Sequence, residues 1–120
     1  MSVFIIAEAG VNHNGSLELA KQLVDAAKEA GADAVKFQTF KAANLVTQEA
    51  EQASYQKENT GVKESQFAML KRLELDESDH LELVAYCKQK QIEFMSTAFD
   101  DESIQLLHDL GMQRWKIPSG

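Results

Sequence analysis

Residues 4–16 read Phe-Ile-Ile-Ala-Glu-Ala-Gly-Val-Asn-His-Asn-Gly-Ser. The stretch opens with an apolar run, ends that run at the carboxylate of Glu8, and continues through a turn rich in Gly, Asn and His. A continuous apolar run is typical of a parallel strand covered on both faces, and Ser16 is a favourable N-cap for a helix. The stretch therefore predicts a strand over 3–8 that delivers Glu8 to one edge of a sheet, followed by a helix from 17 to 30.

The remainder of the chain repeats the strand–helix pattern. Strands are predicted at 34–38, 92–96 and 114–117, and helices at 65–73, after Asp76, and after Asp100 or Asp101. Alternation of strands with helices indicates the α/β class and a parallel sheet. Residues 39–60 are polar and alanine-rich and exceed the usual length of such a connection, so we expect a functional or mobile segment with a helical turn near 48–55.

Composition restricts the classes of function. The chain has 120 residues, enough for one core, and a formal net charge of -7 that disfavours nucleic acid and anionic membranes as partners. It has no apolar run of about 20 residues and no signal-peptide pattern, so we expect a cytoplasmic protein. An anionic small substrate stays possible, because a few lysines and backbone N–H groups in a cleft outweigh a negative exterior at short range.

Polar side chains follow each predicted strand. Ligands of parallel α/β sheets bind at the carboxyl ends of the strands, so these side chains are expected to share one rim. Cations, hydroxyls and backbone N–H groups together suit a phosphate or a carboxylate. The rim residues are Glu8, Asn12, His13, Asn14, Lys36, Gln38, Thr39, Ser96, Thr97, Lys116, Ser119 and Gly120.

Several of these residues also have a purely structural interpretation. Glu8 could form an ion pair with Lys36 or Lys116 inside a barrel. His13, in a Gly/Asn turn, is more often a hydrogen-bonded loop residue than a base or a metal ligand. Cys87, the only cysteine, is expected in the core on the apolar face of its helix. His80 and His108, which lie among charged residues of helices, are expected to be solvated.

Five segments resemble the N-terminal part of the sialic acid synthase family, which includes N-acetylneuraminate, legionaminate and pseudaminate synthases. Taken in order and together they are far more specific than any one of them, and they extend over nearly the whole chain. The segments are Ala7–Gly15 (AEAGVNHNG), Val35–Thr39 (VKFQT), Glu64–Leu70 (ESQFAML), Phe94–Phe99 (FMSTAF) and Trp115–Gly120 (WKIPSG).

The resemblance implies a (β/α)8 TIM barrel, of which residues 1–120 would form the N-terminal half with about four parallel strands. It implies condensation of phosphoenolpyruvate with an N-acetylated aldose, such as N-acetylmannosamine, to a nine-carbon 2-keto acid and phosphate. A divalent metal, Mn²⁺ or Mg²⁺, would polarise the sugar aldehyde, with ligands on later strands that this chain lacks. The implied phosphoenolpyruvate-binding residues are Lys36, Thr97, Lys116 and Ser119; Glu8 would contact the sugar and take part in proton transfer, and Asn59 would contact the sugar.

A half-barrel carries further expectations. Without the later strands and the C-terminal antifreeze-like domain of the family, we expect little or no synthase activity from these residues alone. Open sheet edges predict a homo-oligomer, in which two copies could supply eight strands or exchange elements across the gap. The alternatives are a stand-alone anion-binding half-barrel without catalysis, another phosphoenolpyruvate-condensing synthase, and an open flavodoxin-like sandwich.

Overall fold

A computed structural model describes residues 3–45 and 60–118, so Asn59, Ser119 and the helical turn predicted near 48–55 lie outside the described residues. In the described part, three strands alternate with four helices, and a further helical turn covers 42–45. The elements are β1 (Ile6–Gly10), α1 (Leu17–Glu29), β2 (Ala34–Thr39), α2 (Thr60–Leu73), α3 (Glu77–Gln89), β3 (Glu93–Ala98) and α4 (Asp101–Asp109).

The three strands form one parallel sheet in the order β1-β2-β3. In this register Glu8 lies opposite Lys36, and Gln38 lies opposite Thr97. Successive side chains of a strand point to opposite faces, so these two pairs lie on one face of the sheet. Val35 and the other odd-numbered residues of β2 lie on the opposite face. The predicted α/β class with parallel strands is confirmed.

The predicted fourth strand at 114–117 does not form: no strand is assigned between 112 and 118. Side-chain contacts hold this segment instead of ladder hydrogen bonds. The Arg114 guanidinium lies 4.2 Å from the ring centroid of Phe4, and its Nε is 3.0 Å from a carboxylate oxygen of Glu93. Phe4 precedes β1 and Glu93 begins β3, so Arg114 reaches both edges of the sheet and the segment crosses the face of the sheet.

Side-chain caps start three of the helices: Ser16 and Asp76 as predicted, and Asp100, one of the two residues predicted for the third cap. The side chains of Ser16, Asp76 and Asp100 accept hydrogen bonds from the backbone N–H groups three residues ahead of them. Each bond satisfies one of the orphan donors of the first helical turn. The caps therefore fix where the chain leaves each loop and turns back along the sheet.

Helices α1, α3 and α4 cover one face of the sheet and enclose the core with it. Cys87 belongs to this core, as predicted, and its burial raises the pKa of the thiol to about 12. The buried apolar residues of the cluster are Ala9, Ala20, Val24, Ala27, Ala32, Val35, Phe37, Leu75, Leu83, Cys87, Ile92, Phe94, Ala98 and Leu107.

His80 is buried, so the prediction that it is solvated is wrong, whereas His108 is exposed as predicted. The spacing of His80, Leu83 and Cys87 places all three on the sheet-facing side of α3. The imidazole Nδ1–H donates to the backbone carbonyl of Asp76 at 2.8 Å, and its Nε2 lies 2.9 Å from Oγ1 of Thr39. Charged neighbours in sequence concealed this apolar spacing.

His13 is also fully buried, in the loop after β1. Its Nδ1 accepts a hydrogen bond from the N–H of Gly15 at 2.9 Å, as the structural interpretation predicts. Four rings then follow one another behind the sheet, with centroid separations of 6.0 Å from His13 to Phe37, 5.9 Å from Phe37 to Phe94 and 6.4 Å from Phe94 to His80. Burial lowers the pKa of both imidazoles, which are therefore neutral in the folded chain.

Replacement of Gly15 by alanine should destabilise the chain strongly. Gly15 has a φ of 78°, and a Cβ there would overlap the backbone carbonyl of Arg72 at the end of α2. Gly111 is a matched control, since its φ is 80° and nothing lies within 4 Å of its Cβ position. In urea unfolding, Gly111→Ala should cost about 1–2 kcal/mol and Gly15→Ala about 3 kcal/mol or more. Equal losses would contradict the close approach of α2 to this loop.

Stability should fall as the pH drops below the ordinary histidine pKa of 6.5, because the unfolded imidazoles then take up protons that His13 and His80 do not bind in the fold. Above that pH the histidines are neutral in both states and contribute no pH dependence. Each imidazole adds at most about 1.4 kcal/mol per pH unit to the slope. Urea unfolding between about pH 7 and pH 5 should give a shallower slope for His80→Gln than for wild type.

The control for this pH dependence is His108→Gln, because His108 is largely exposed. It should retain the wild-type slope, because the exposed His108 side chain is in contact with water in both the folded and the unfolded state. A slope for His80→Gln that equals that of His108→Gln would show that His80 is protonated alike in both states.

Candidate functional site

A cleft of about 390 Å³ lies at the carboxyl ends of the strands. Four of the predicted site residues line it together: Glu8 from β1, Lys36 from β2, Thr97 from β3, and Lys116 from the segment that crosses the sheet. The predicted residues Ser119 and Asn59 lie outside the described part. The full lining is Glu8, Ala9, Gly10, Val11, Asn12, Lys36, Gln38, Thr97, Phe99, Lys116 and Pro118.

An ion pair between Glu8 and Lys36 forms one wall of the cleft. Lys36 Nζ lies 2.8 Å from Glu8 Oε2; the lysine side chain is 16% exposed and the glutamate side chain 51%. A largely buried ammonium needs a compensating charge, and Glu8 supplies it from the neighbouring strand. The pair expected as an alternative role for Glu8 therefore exists, and it lies on the cleft wall with its carboxylate open to solvent.

A β-bulge lets the chain turn away directly after Glu8. The register of β1 shifts between Glu8 and Gly10, and Gly10 has a φ of 56°. A Cβ at this position would lie 3.4 Å from Oε1 of Glu8 and 3.9 Å from Nε2 of Gln38. Both distances are ordinary van der Waals contacts, so the positive φ, and not a lack of space, is what favours glycine here. Bulges commonly redirect side chains in this way.

The charges of the cleft favour an anion. Among the described lining residues, Lys36 and Lys116 carry positive charge and Glu8 carries negative charge, which leaves one positive charge in excess. Lys116 is exposed, and its Nζ donates to the backbone carbonyl of Ile117 at 3.3 Å, a contact that an anionic ligand could replace. The Thr97 hydroxyl and the Gln38 amide add neutral donors.

Two residues expected on the rim face the opposite side of the sheet. Thr39 and Ser96 point toward the helices, where their hydroxyl oxygens lie 2.6 Å apart. Their strand neighbours Gln38 and Thr97 point into the cleft instead. Because side chains alternate along a strand, strict counting from Lys36 would have kept Gln38, already among the predicted rim residues, on the cleft side and would have separated Thr39 from it.

The described residues do not fit a metal site. No group of three or more His, Cys, Asp or Glu side chains within 3–45 and 66–118 converges on one point. The single carboxylate on the cleft lining is engaged by Lys36. His13, the nearest histidine in sequence, is buried behind the sheet with its Nδ1 occupied.

A second cavity, of about 290 Å³, lies between the ends of α3 and α4 and includes Cys87 and Phe94 in its lining. The raised pKa of the Cys87 thiol keeps it protonated, so it lacks the thiolate that nucleophilic chemistry requires. Among the described helices, none combines the length and the apolar character needed to cross a membrane.

Comparisons with family models, with protein sequences and with solved structures each find proteins similar to this chain. The chain is 61% identical over 120 residues to an N,N'-diacetyllegionaminic acid synthase of Legionella pneumophila and 53% identical over 116 residues to one of Campylobacter jejuni. These matches cover 100% and 97% of the chain but 34% and 35% of the two relatives, so the chain spans about a third of the length of the curated relatives it matches.

A solved structure is similar as well. The crystal structure of an N-acetylneuraminic acid synthetase from Leptospira borgpetersenii serovar Hardjo-bovis, in complex with citrate, superposes with a TM-score of 0.76 at 32% identity. The superposition covers 98% of this chain and 36% of that one. Residues 23–120 match the NeuB family. With a match over this much of its length, the chain belongs to the NeuB family.

Proposed function

We propose that this chain supplies the phosphoenolpyruvate-binding side of the active site of a synthase that makes a nine-carbon sugar acid. The observation that carries the proposal is the convergence of Lys36, Thr97 and Lys116 with Glu8 on one cleft at the strand ends. Membership of the family supports a sugar acid synthase. The reaction and the substrates are the proposal.

The cleft has the groups that phosphoenolpyruvate requires. The phosphate and the carboxylate of phosphoenolpyruvate together carry more negative charge than the single positive charge that the lining has in excess. Both Lys36 and Lys116 are therefore needed to compensate the charge of the ligand. The Thr97 hydroxyl donates a further hydrogen bond, and Ser119 is proposed to add another. Hydroxyls and lysines at the ends of parallel strands are a common arrangement for phosphate binding.

Binding of an anionic ligand would replace Glu8 as the ion-pair partner of Lys36. An anionic ligand competes with Glu8 for the Lys36 ammonium, which lies 2.8 Å from the carboxylate. Once Lys36 turns to the ligand, the Glu8 carboxylate is released toward the open side of the cleft, where it accepts hydrogen bonds from sugar hydroxyls and takes up a proton. Asn59 is proposed as a second sugar contact.

The chemical step follows from these two substrates. The methylene carbon of phosphoenolpyruvate bonds to the aldehyde carbon of the open-chain sugar, whose oxygen takes up one proton of a water molecule and becomes a hydroxyl. The water oxygen adds at the enol carbon, the C–O bond to phosphate breaks, and the second water proton leaves with the phosphate. The products are a 2-keto acid and inorganic phosphate. The two legionaminic acid synthases among the relatives favour a sugar with two N-acetyl groups over one with a single group.

Binding without catalysis is the second candidate, since the described cleft contains no metal site and the chain spans only about a third of those relatives. Formation of keto acid by the protein as its gene encodes it, with phosphoenolpyruvate and the N-acetylated sugar, separates the two candidates. Synthase activity from residues 1–120 alone would overturn the expectation that this portion is inactive by itself.

Two substitutions in the cleft should change phosphoenolpyruvate affinity in opposite directions. Lys36→Met removes a charge-assisted donor and should weaken binding by about tenfold or more. Glu8→Gln removes the competing carboxylate and should tighten binding by about fivefold, while lowering the turnover of the synthase. Isothermal titration calorimetry measures both affinities, and a colorimetric keto acid assay measures turnover.

The matched control is the ion pair between Lys21 and Glu82, whose atoms lie 3.7 Å apart on the helix layer away from the cleft. Lys21→Met and Glu82→Gln should leave the affinity unchanged. If Lys36→Met binds phosphoenolpyruvate as wild type does, the cleft is not its site.

Self-association is proposed as well, because apolar side chains at the start of β1 are exposed and β1 is an edge strand of the described sheet. Ile5 is 52% exposed. Sedimentation of residues 1–120 should show a dimer or larger species, and Ile5→Lys should shift it toward monomer. Leu81, 54% exposed on α3, gives a matched control in Leu81→Lys. A wild-type monomer at high concentration would contradict the proposal.

A further inference from the structure

A buried hydrogen-bonded chain lies directly behind the cleft, on the helix-facing side of the sheet. Thr39 Oγ1 is 2.9 Å from Nε2 of His80 and 2.6 Å from Oγ of Ser96. The three residues are 2%, 2% and 1% exposed. They belong to β2, α3 and β3, so one short chain of polar atoms joins three elements.

The direction of every hydrogen bond in this chain is determined. The backbone carbonyl of Asp76 only accepts, so the hydrogen of a neutral His80 ring lies on Nδ1, 2.8 Å away. Nε2 is then an acceptor, and the Thr39 hydroxyl donates to it. Because the single hydrogen of Thr39 is used in that bond, the Ser96 hydroxyl donates to Thr39 Oγ1.

These three hydrogen-bonded side chains lie next to residues of the cleft. Thr39 follows Gln38 and Ser96 precedes Thr97, and Gln38 and Thr97 face each other in the register of β2 and β3. The backbone carbonyl of Thr39 also accepts from the N–H of Phe99 at 3.1 Å, which extends the junction past the end of β3. A change in the spacing of Thr39 and Ser96 would therefore displace the cleft donors.

Buried hydroxyls restrict the relative position of the ends of β2 and β3 more strictly than apolar contacts do. An apolar contact tolerates sliding, whereas a buried donor or acceptor that loses its partner is costly. The Phe37–Phe94 ring pair packs beside the chain, with its ring planes 20° apart, and limits rotation of the strands. The polar chain sets the relative position of the strand ends, and the rings maintain it.

We propose that His80 is a positioning residue: through Thr39 and Ser96 it fixes the spacing between the ends of β2 and β3, and thereby the anion affinity of the cleft. This inference rests on the proposed function for its ligand, phosphoenolpyruvate, but its structural part does not. His80 itself contacts neither the cleft nor its ligand.

The hydrogen-bond directions given above require a neutral His80, with Nε2 as an acceptor. The charged groups that act on it are Asp76 and Asp79 of its own helix, which raise the pKa of the imidazole, and Lys41 from the loop after β2, which lowers it. Burial is the largest effect, and the net shift of the pKa is downward. Protonation at Nε2 would reverse the bond to Thr39 and leave one of the two hydroxyl hydrogens, that of Thr39 or that of Ser96, without an acceptor among these three side chains.

The test uses two substitutions of Thr39 in the protein as its gene encodes it. Thr39→Val keeps the shape and removes the hydroxyl, whereas Thr39→Ser keeps the hydroxyl. Leu83→Ala is the control for general destabilisation, because Leu83 is fully buried on α3 and outside the hydrogen-bonded chain. Phosphoenolpyruvate affinity is measured by calorimetry, and amide hydrogen exchange at Gln38, Thr97 and Phe99 is measured without ligand.

We expect Thr39→Val to weaken phosphoenolpyruvate binding about tenfold and to accelerate exchange at those amides, with Thr39→Ser close to wild type. Leu83→Ala should lower stability and leave the affinity within about twofold of wild type. The ¹⁵N spectrum of the His80 ring should report the Nδ1–H tautomer in wild type and a shifted Nε2 resonance in Thr39→Val only.

The positioning role is overturned if Thr39→Val binds like wild type, or if Leu83→Ala weakens binding as much as Thr39→Val does. A wild-type protein that does not bind phosphoenolpyruvate would overturn the proposed function instead. In that case the exchange measurement still decides the structural part: equal exchange rates in Thr39→Val and Thr39→Ser would overturn it.

Discussion

The alternation of side chains along β2 is the constraint on which the rest of the structure depends. This strand lies between the other two, so both of its edges are paired. Val35, Phe37 and Thr39 face the helices, and Lys36 and Gln38 face the cleft. A slip of one residue would place a lysine among Val24 and Leu83 and would expose two apolar residues, so the register is strongly specified.

The same alternation separates two kinds of electrostatics within one strand. On the cleft face, the Lys36 Nζ lies 2.8 Å from a carboxylate oxygen of Glu8, and the glutamate side of the pair is open to solvent. On the helix face, burial favours neutral groups, and His80 is accommodated without charge. One layer of backbone thus separates a cleft lined by charged side chains from a buried, uncharged support.

Much of this was predictable from local chemistry. The caps at Ser16 and Asp76, and the place of Glu8 and Lys36 toward the carboxyl ends of β1 and β2, followed from residue type and spacing alone. For the third cap, Asp100 was one of two candidates. These features are local, because a cap needs only the next helical turn and a strand end needs only the end of an apolar run.

The errors arose where distant contacts decide. Residues 114–117 have the composition of a strand, but a strand needs a partner edge, and Arg114 is held across the sheet by Phe4 and Glu93. His80 looked solvated because its sequence neighbours are charged, although the faces of a helix are set by residues three and four positions away. The role of Asn59 rests on family resemblance alone, and that of Ser119 on the resemblance and on its place after the fourth predicted strand.

Cys87 is a natural site for chemical labelling of the chain. It is the only thiol, it is 1% exposed, and its high pKa leaves almost no thiolate near neutral pH. Thiol reagents should therefore react with it only when α3 separates from the sheet. The rate of alkylation at this one atom measures how often the layer that carries His80 opens, without any introduced probe.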